Sequence, residues 1–81
     1  MRLLVTGGCG FLGSNLVSYY LKKEAEVFII DNLSRKGSKE NLNWLMGQAK
    51  KNQLIFFNSD VSEDESMEVI FKSHAPFVTV N

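Results

Sequence analysis

Residues 6–13 read Thr-Gly-Gly-Cys-Gly-Phe-Leu-Gly. Glycines at this spacing let bare backbone approach a phosphate. Two frames overlap, Gly7-Gly10-Gly13 and Gly8-Gly10-Gly13. In the first, Gly7 makes the tight turn out of a strand and Gly10 lets the backbone reach a pyrophosphate. Gly13 then lets the following helix pack against the sheet. The free N–H groups around Phe11 and Leu12 face the anion at the helix N-terminus. Hydrogen bonds to a charged group contribute ~1.5–3 kcal/mol each, so two or three outweigh a helix dipole of ~0.3–1 kcal/mol. The plain alternative is a glycine turn that serves packing alone.

Asp31 stands eighteen residues past Gly13, at the end of the next apolar run. A carboxylate there accepts from both hydroxyls of an adenosine ribose and repels a 2′-phosphate. Unit charges ~4 Å apart interact by up to ~4 kcal/mol at an effective dielectric of about 20. This favours NAD over NADP, with Arg35 and Lys36 close enough to offset part of the repulsion. Asp60 follows the third apolar run on the same carboxyl edge. It can accept from the adenine amino group, with the Val61 backbone beside it; a turn or capping role is its alternative.

Other reactive residues read as structural. Tyr19 and Lys23 match Tyr-x-x-x-Lys, but Tyr19 lies six residues past Gly13, ~9 Å along the helix and away from where a nicotinamide would sit. Cys9 lies near a helix N-terminus, which can acidify a thiol, yet it has no histidine partner and reads as loop filling. His74 is a lone histidine at a helix end. Trp44 is off the apolar stripe of its helix. No catalytic set and no metal-ligand cluster emerges.

These residues need strands and helices in alternation, and the chain supplies them. Residues 2–6 read as a buried parallel strand, a continuous apolar run. Over residues 11–23, Leu12, Leu16, Tyr20 and Leu21 fall near one helix face. Residues 26–30 form a second strand running into Asp31, and residues 32–37 a polar turn. Ser38 caps a helix to about residue 51, with Leu42, Leu45, Met46 and Ala49 as its stripe. Gly47 weakens the later half by ~1 kcal/mol. Residues 54–58 give the third strand. Ser62 opens a capping box with Glu65, and that helix carries Met67, Ile70, Phe71 and His74 on one side. Pro76 blocks further helix and precedes a fourth strand over residues 77–80.

The fold class is therefore α/β, a partial Rossmann fold: a doubly wound parallel sheet, β-α-β-α-β-α-β, in strand order 3-2-1-4. The first two helices cover one face. The second face is expected to be about half bare, and self-association through that uncovered sheet would follow. All 81 residues then make the N-terminal portion of an NAD-binding domain, with no substrate domain. Nine basic residues balance nine acidic ones, which argues against electrostatic nucleic-acid binding. The single cysteine rules out an internal disulfide, and no apolar run approaches the ~20 residues of a membrane helix. The reading is a cytoplasmic protein.

The glycine segment together with Asp31-Asn32-Leu33-Ser34 resembles the extended short-chain dehydrogenase/reductase group of nucleotide-sugar epimerases and dehydratases. The resemblance runs through Arg35-Lys36-Gly37 and Asn41-Leu42-Asn43-Trp44-Leu45 and covers nearly the whole chain. By motif, it implies that Gly7, Gly10, Phe11, Leu12 and Gly13 hold the pyrophosphate. Asp31 and Asn32 bind the ribose with Ser34 and Arg35 as neighbours, while Asp60 and Val61 frame adenine. The chain departs from the pattern at Ser59-Asp60, usually Gly-Asp, and at Thr79-Val80-Asn81, where the family has a His-Leu-Ala-like segment.

The resemblance implies transient oxidation of a sugar carbon by NAD, with hydride returned to the other face of the ketone. The nucleotide-sugar substrate is a partner of a full-length protein only. The family's later Ser/Thr and Tyr-x-x-x-Lys residues are not in this sequence, so it implies no turnover by these residues alone. The alternatives are a non-catalytic remnant or small NAD-binding module, and the opening of a 4,6-dehydratase or 4-epimerase.

Overall fold

A computed structural model describes residues 1–58 and 78–80. The elements run β1 (Arg2–Thr6), α1 (Phe11–Lys22), β2 (Glu26–Asp31), α2 (Ser38–Gln48), β3 (Leu54–Asn58) and β4 (Val78–Val80). All pair in parallel in one sheet ordered β3-β2-β1-β4. The expected third helix, with Ser62, His74 and Pro76, lies outside the described residues, as do Asp60 and Val61.

The central strands alternate their side chains between two cores, although residues 3–5 and 27–30 are unbroken apolar runs. Leu3, Val5, Val27 and Ile29 face α1 and α2, where Val17, Leu21 and Leu45 close over them. Leu4, Phe28 and Ile30 form a second buried cluster, with Ile55 and Phe57 packed against it. At the centre of this second face no residue of the cluster exceeds 2% exposure, while the helix expected to cover half of it lies outside the described residues. Ile55 and Phe57, on β3, remain half-buried.

α1 buries Ser14, Val17, Ser18 and Leu21, spaced i, i+3, i+4, i+7. Leu16 and Tyr20 pack at the margin as read from sequence, but Leu12 is 80% exposed. The helix is rotated so that the small Ser14 and Ser18, and not Leu12, lie on its buried side. Ser18 Oγ donates to Gln48 Oε1 at 2.7 Å, tying α1 to α2.

α2 departs from expectation in three ways. Its N-cap is Gly37 at φ 86°, and Ser38 is its first helical residue. The Ser38 hydroxyl donates backward to the Arg35 carbonyl at 2.7 Å, so it does not accept from the helix. Met46 is exposed, while Leu45 is buried and Leu42 and Ala49 pack at the edge of the core. The helix also ends at Gln48, short of residue 51, because Gly47 favours it weakly and the chain must reverse into β3. That reversal uses Asn52 at φ 64° and the buried Gln53. Gln53 Nε2 donates to the Leu21 and Ala25 carbonyls at 2.8 and 3.0 Å, satisfying backbone at the end of α1.

Candidate functional site

The site is the β1–α1 turn. Gly7 leaves β1 at φ 69°, a left-handed conformation that glycine adopts without steric cost. Its N–H still donates to the Ile30 carbonyl at 2.8 Å. Gly10 N–H then folds back to the Gly7 carbonyl at 3.1 Å, and Gly10 caps α1 with its own carbonyl on Ser14 N–H at 2.8 Å. No side chain caps this helix, and its first turn carries no acidic residue. The N–H groups of Phe11 and Leu12 thus lack intrahelical acceptors. The side chains of both residues are exposed.

Both glycine frames are used, with their roles redistributed. A Cβ on Gly13 would fall on the Gly7 carbonyl oxygen and come within 3.0 Å of Gly8 Cα. Gly13 therefore brings the helix against the turn itself, which corrects the reading that it meets the sheet. Gly8 makes the approach to the sheet: a Cβ there would lie 2.8 Å from the Ile29 side chain.

Asp31 faces this turn from the end of β2. Its Oδ2 accepts from Cys9 N–H at 3.0 Å and its Oδ1 from Leu33 N–H at 2.8 Å. A carboxylate offers about four lone-pair sites, so capacity remains for a ligand's hydroxyls. Leu33 sits at φ 58°, a left-handed turn that the Asp31 bond supports. Asn32 Oδ1 accepts from Ser34 N–H at 3.1 Å, and Asn32, Ser34 and Arg35 are all exposed.

Arg35 reaches back over the turn. A Cβ on Gly10 would stand 3.4 Å from the Gly7 carbonyl and 3.7 Å from Arg35 Nη1. Among the described residues no carboxylate pairs with this guanidinium. Open N–H donors, a guanidinium and a partly buried carboxylate thus lie around one turn. That donor set suits an anion beside a pair of hydroxyls.

Cys9 is fully buried in the apolar cluster. Burial first, and the Asp31 carboxylate second, push its thiol from 9.0 up to about 12. The helix N-terminus does not acidify it, and it fills the loop. Below about pH 9 the proton is bound in both folded and unfolded chains. Between about 9 and 12 only the unfolded chain releases it, so stability falls with rising pH, by at most ~1.4 kcal/mol per unit from this group. Urea unfolding at about pH 8 and about pH 10 should show this slope, and Cys9→Ala should remove it. An identical slope in the variant would refute the assignment.

Lys23 Nζ lies over the Tyr19 ring, 5.5 Å from its centroid, on an exposed part of the helix. The sequence reading missed Asn41, whose Nδ2 donates to the Cys9 carbonyl at 2.8 Å. The available signal was slight: a poor helix former in the first turn of α2.

A family model described as GDP-mannose 4,6 dehydratase matches residues 4–81. The chain belongs to this family. Its relatives include CDP-paratose 2-epimerase of Salmonella typhi, 40% identical over 76 residues, or 94% of this chain and 22% of that protein. UDP-glucose 4-epimerase of Erwinia amylovora is 35% identical over 74 residues, 91% of this chain and 21% of that one. Among solved structures, Bordetella bronchiseptica WbmG in complex with NAD superposes with a TM-score of 0.78 at 32% identity, covering 100% of this chain and 24% of WbmG. Thermotoga maritima UDP-glucose 4-epimerase with UDP-glucose gives 0.77 at 35%, with 100% and 24% covered. The family resemblance read from the motifs is confirmed, and the fold is Rossmann-like. The chain spans about a quarter or less of the length of these relatives. Among the described residues no helix is long and apolar enough to cross a membrane.

Proposed function

We propose that this chain binds NAD and forms the cofactor-binding opening of a nucleotide-sugar epimerase of the CDP-paratose 2-epimerase kind. One observation supports this most directly: the uncapped N-terminus of α1, the Arg35 guanidinium and the Asp31 carboxylate meet at the β1–α1 turn. Phe11 and Leu12 would present N–H groups to the pyrophosphate and Gly10 would let the backbone approach it, while Gly7 and Gly13 allow that backbone to form. Asp31 and Asn32 would take the ribose hydroxyls, with Ser34 and Arg35 flanking. Asp60 and Val61 would frame adenine. NAD supplies the hydride acceptor for transient oxidation of a sugar carbon. The described residues bind and orient the cofactor, and the acid–base work belongs to the longer protein. The nucleotide-sugar is a substrate of that longer protein, for which a cytoplasmic location fits.

Titrating the 81-residue chain with NAD and NADP, followed by amide NMR, tests the reading. NAD should move the amides of Gly10, Phe11, Gly13 and Asp31 and bind more tightly than NADP. Unmoved amides at saturating NAD would remove the cofactor claim; tighter NADP binding would reverse the ribose assignment.

A further inference from the structure

We infer that Asn41 is a positioning residue for the dinucleotide: it holds the Cys9–Gly10 peptide so that the first-turn N–H groups of α1 meet the pyrophosphate. The inference rests on the NAD reading above and assigns part of its geometry to a residue of α2.

The Cys9 carbonyl accepts from Asn41 Nδ2 at 2.8 Å, across 32 positions of sequence. The N–H of the same peptide unit, on Gly10, donates to the Gly7 carbonyl at 3.1 Å. A peptide is planar, so bonds at its two ends fix the orientation of the whole unit. The preceding unit is fixed by Cys9 N–H on Asp31 Oδ2 at 3.0 Å. Cys9 is thus gripped through its two backbone polar groups by side chains of β2 and α2, one residue before the N-cap.

Asn41 is held in turn. Its N–H donates to the Gly37 carbonyl at 3.0 Å, in the first turn of α2. Asparagine is a weak helix former, and its side chain here makes a tertiary bond, partly buried, instead of reaching solvent. The chemistry required is a donor of this length. An aspartate would set a negative oxygen against the Cys9 carbonyl, and an alanine would leave that carbonyl without its partner.

The discriminating readout is which part of the ligand loses affinity. Adenosine would contact the Asp31 side of the turn, whereas ADP adds the pyrophosphate that the turn should receive. Dissociation constants for NAD, ADP and adenosine are measured by amide NMR on the wild-type chain, Asn41→Ala, Asn41→Asp, Asn41→Gln and the exposed control Asn43→Ala. Asn41→Ala should weaken NAD and ADP about tenfold and leave adenosine within about twofold. Asn41→Asp should be at least as weak, and Asn43→Ala should match wild type. Asn41→Gln keeps an amide donor and favours helix more than asparagine, so it should fold and recover part of the loss.

Equal weakening of adenosine and ADP would show a general structural role and overturn the inference. So would a glutamine variant no better than alanine, or unchanged binding in Asn41→Ala. A wild-type chain that binds no NAD would instead defeat the functional reading itself.

Discussion

Gly13→Ala should weaken NAD binding at least about tenfold, and it should do so against the trend of helix propensity. On propensity alone, alanine in α1 would stabilise the helix by ~1 kcal/mol. The added methyl, however, would fall on the Gly7 carbonyl and within 3.0 Å of Gly8 Cα. Those atoms are backbone, so no rotamer change relieves the clash, and the turn and helix must separate. Overpacking of this kind costs ~1–3 kcal/mol, occasionally more, which outweighs the propensity gain. The Gly7 carbonyl that is displaced also receives Gly10 N–H, so the N-cap moves with it.

Gly47→Ala is the matching control. It also lies within a helix, but a Cβ there meets nothing within 4 Å. That variant should gain up to ~1 kcal/mol in urea unfolding with NAD affinity unchanged. A Gly13→Ala chain as stable as wild type, with equal affinity, would show that the close approach does not matter.

Asp31→Ala is expected to damage both the turn and the ligand site. It removes the acceptor of Cys9 N–H, in a fully buried residue, and that of Leu33 N–H, which supports a left-handed backbone. Bonds to a charged group contribute ~1.5–3 kcal/mol each, so the loss should be evident in urea unfolding before any ligand is added. NAD binding should fall further, because the ribose acceptor goes as well. The Cys9 thiol supplies an independent readout. With the nearby negative charge removed, its pKa should move down from about 12 while burial still holds it above 9.0. Alkylation rate against pH reports that shift. An Asp31→Ala chain of wild-type stability would mean that the carboxylate serves the ligand alone.

This second role of Asp31 bears on attempts to change cofactor. Removing the carboxylate to admit a 2′-phosphate would also remove the bond that ties Cys9 N–H in the glycine turn to the end of β2. Asp31→Asn should be milder than alanine, since one oxygen remains to accept from either N–H.

Much of the fold was legible in the sequence because its signals are local. The apolar run of β1 ends where glycines begin, and β3 lies where its run of apolar residues places it. Leu16, Tyr20 and Leu21 kept their expected side of α1. Leu12 and Met46 did not, because each sits at the edge of a stripe and the rotation of a helix depends on what it packs against. Ser38 could be read as a cap from its type, yet the Arg35 carbonyl lay in reach and turned the hydroxyl into a donor.

The sequence by itself determined that a strand, a turn needing left-handed backbone at Gly7, and a helix follow one another, with Asp31 at the end of the next strand. Those properties belong to backbone sterics and residue spacing, which act over a few positions. Only the tertiary structure decided that Asp31 and Asn41 grip Cys9, that Arg35 returns over Gly10, and that Gln53 closes the end of α1. Each of those contacts joins residues 22–32 positions apart or depends on how two elements dock. Hydrogen-bond partners at that range are chosen by packing, and no periodicity along the chain encodes them.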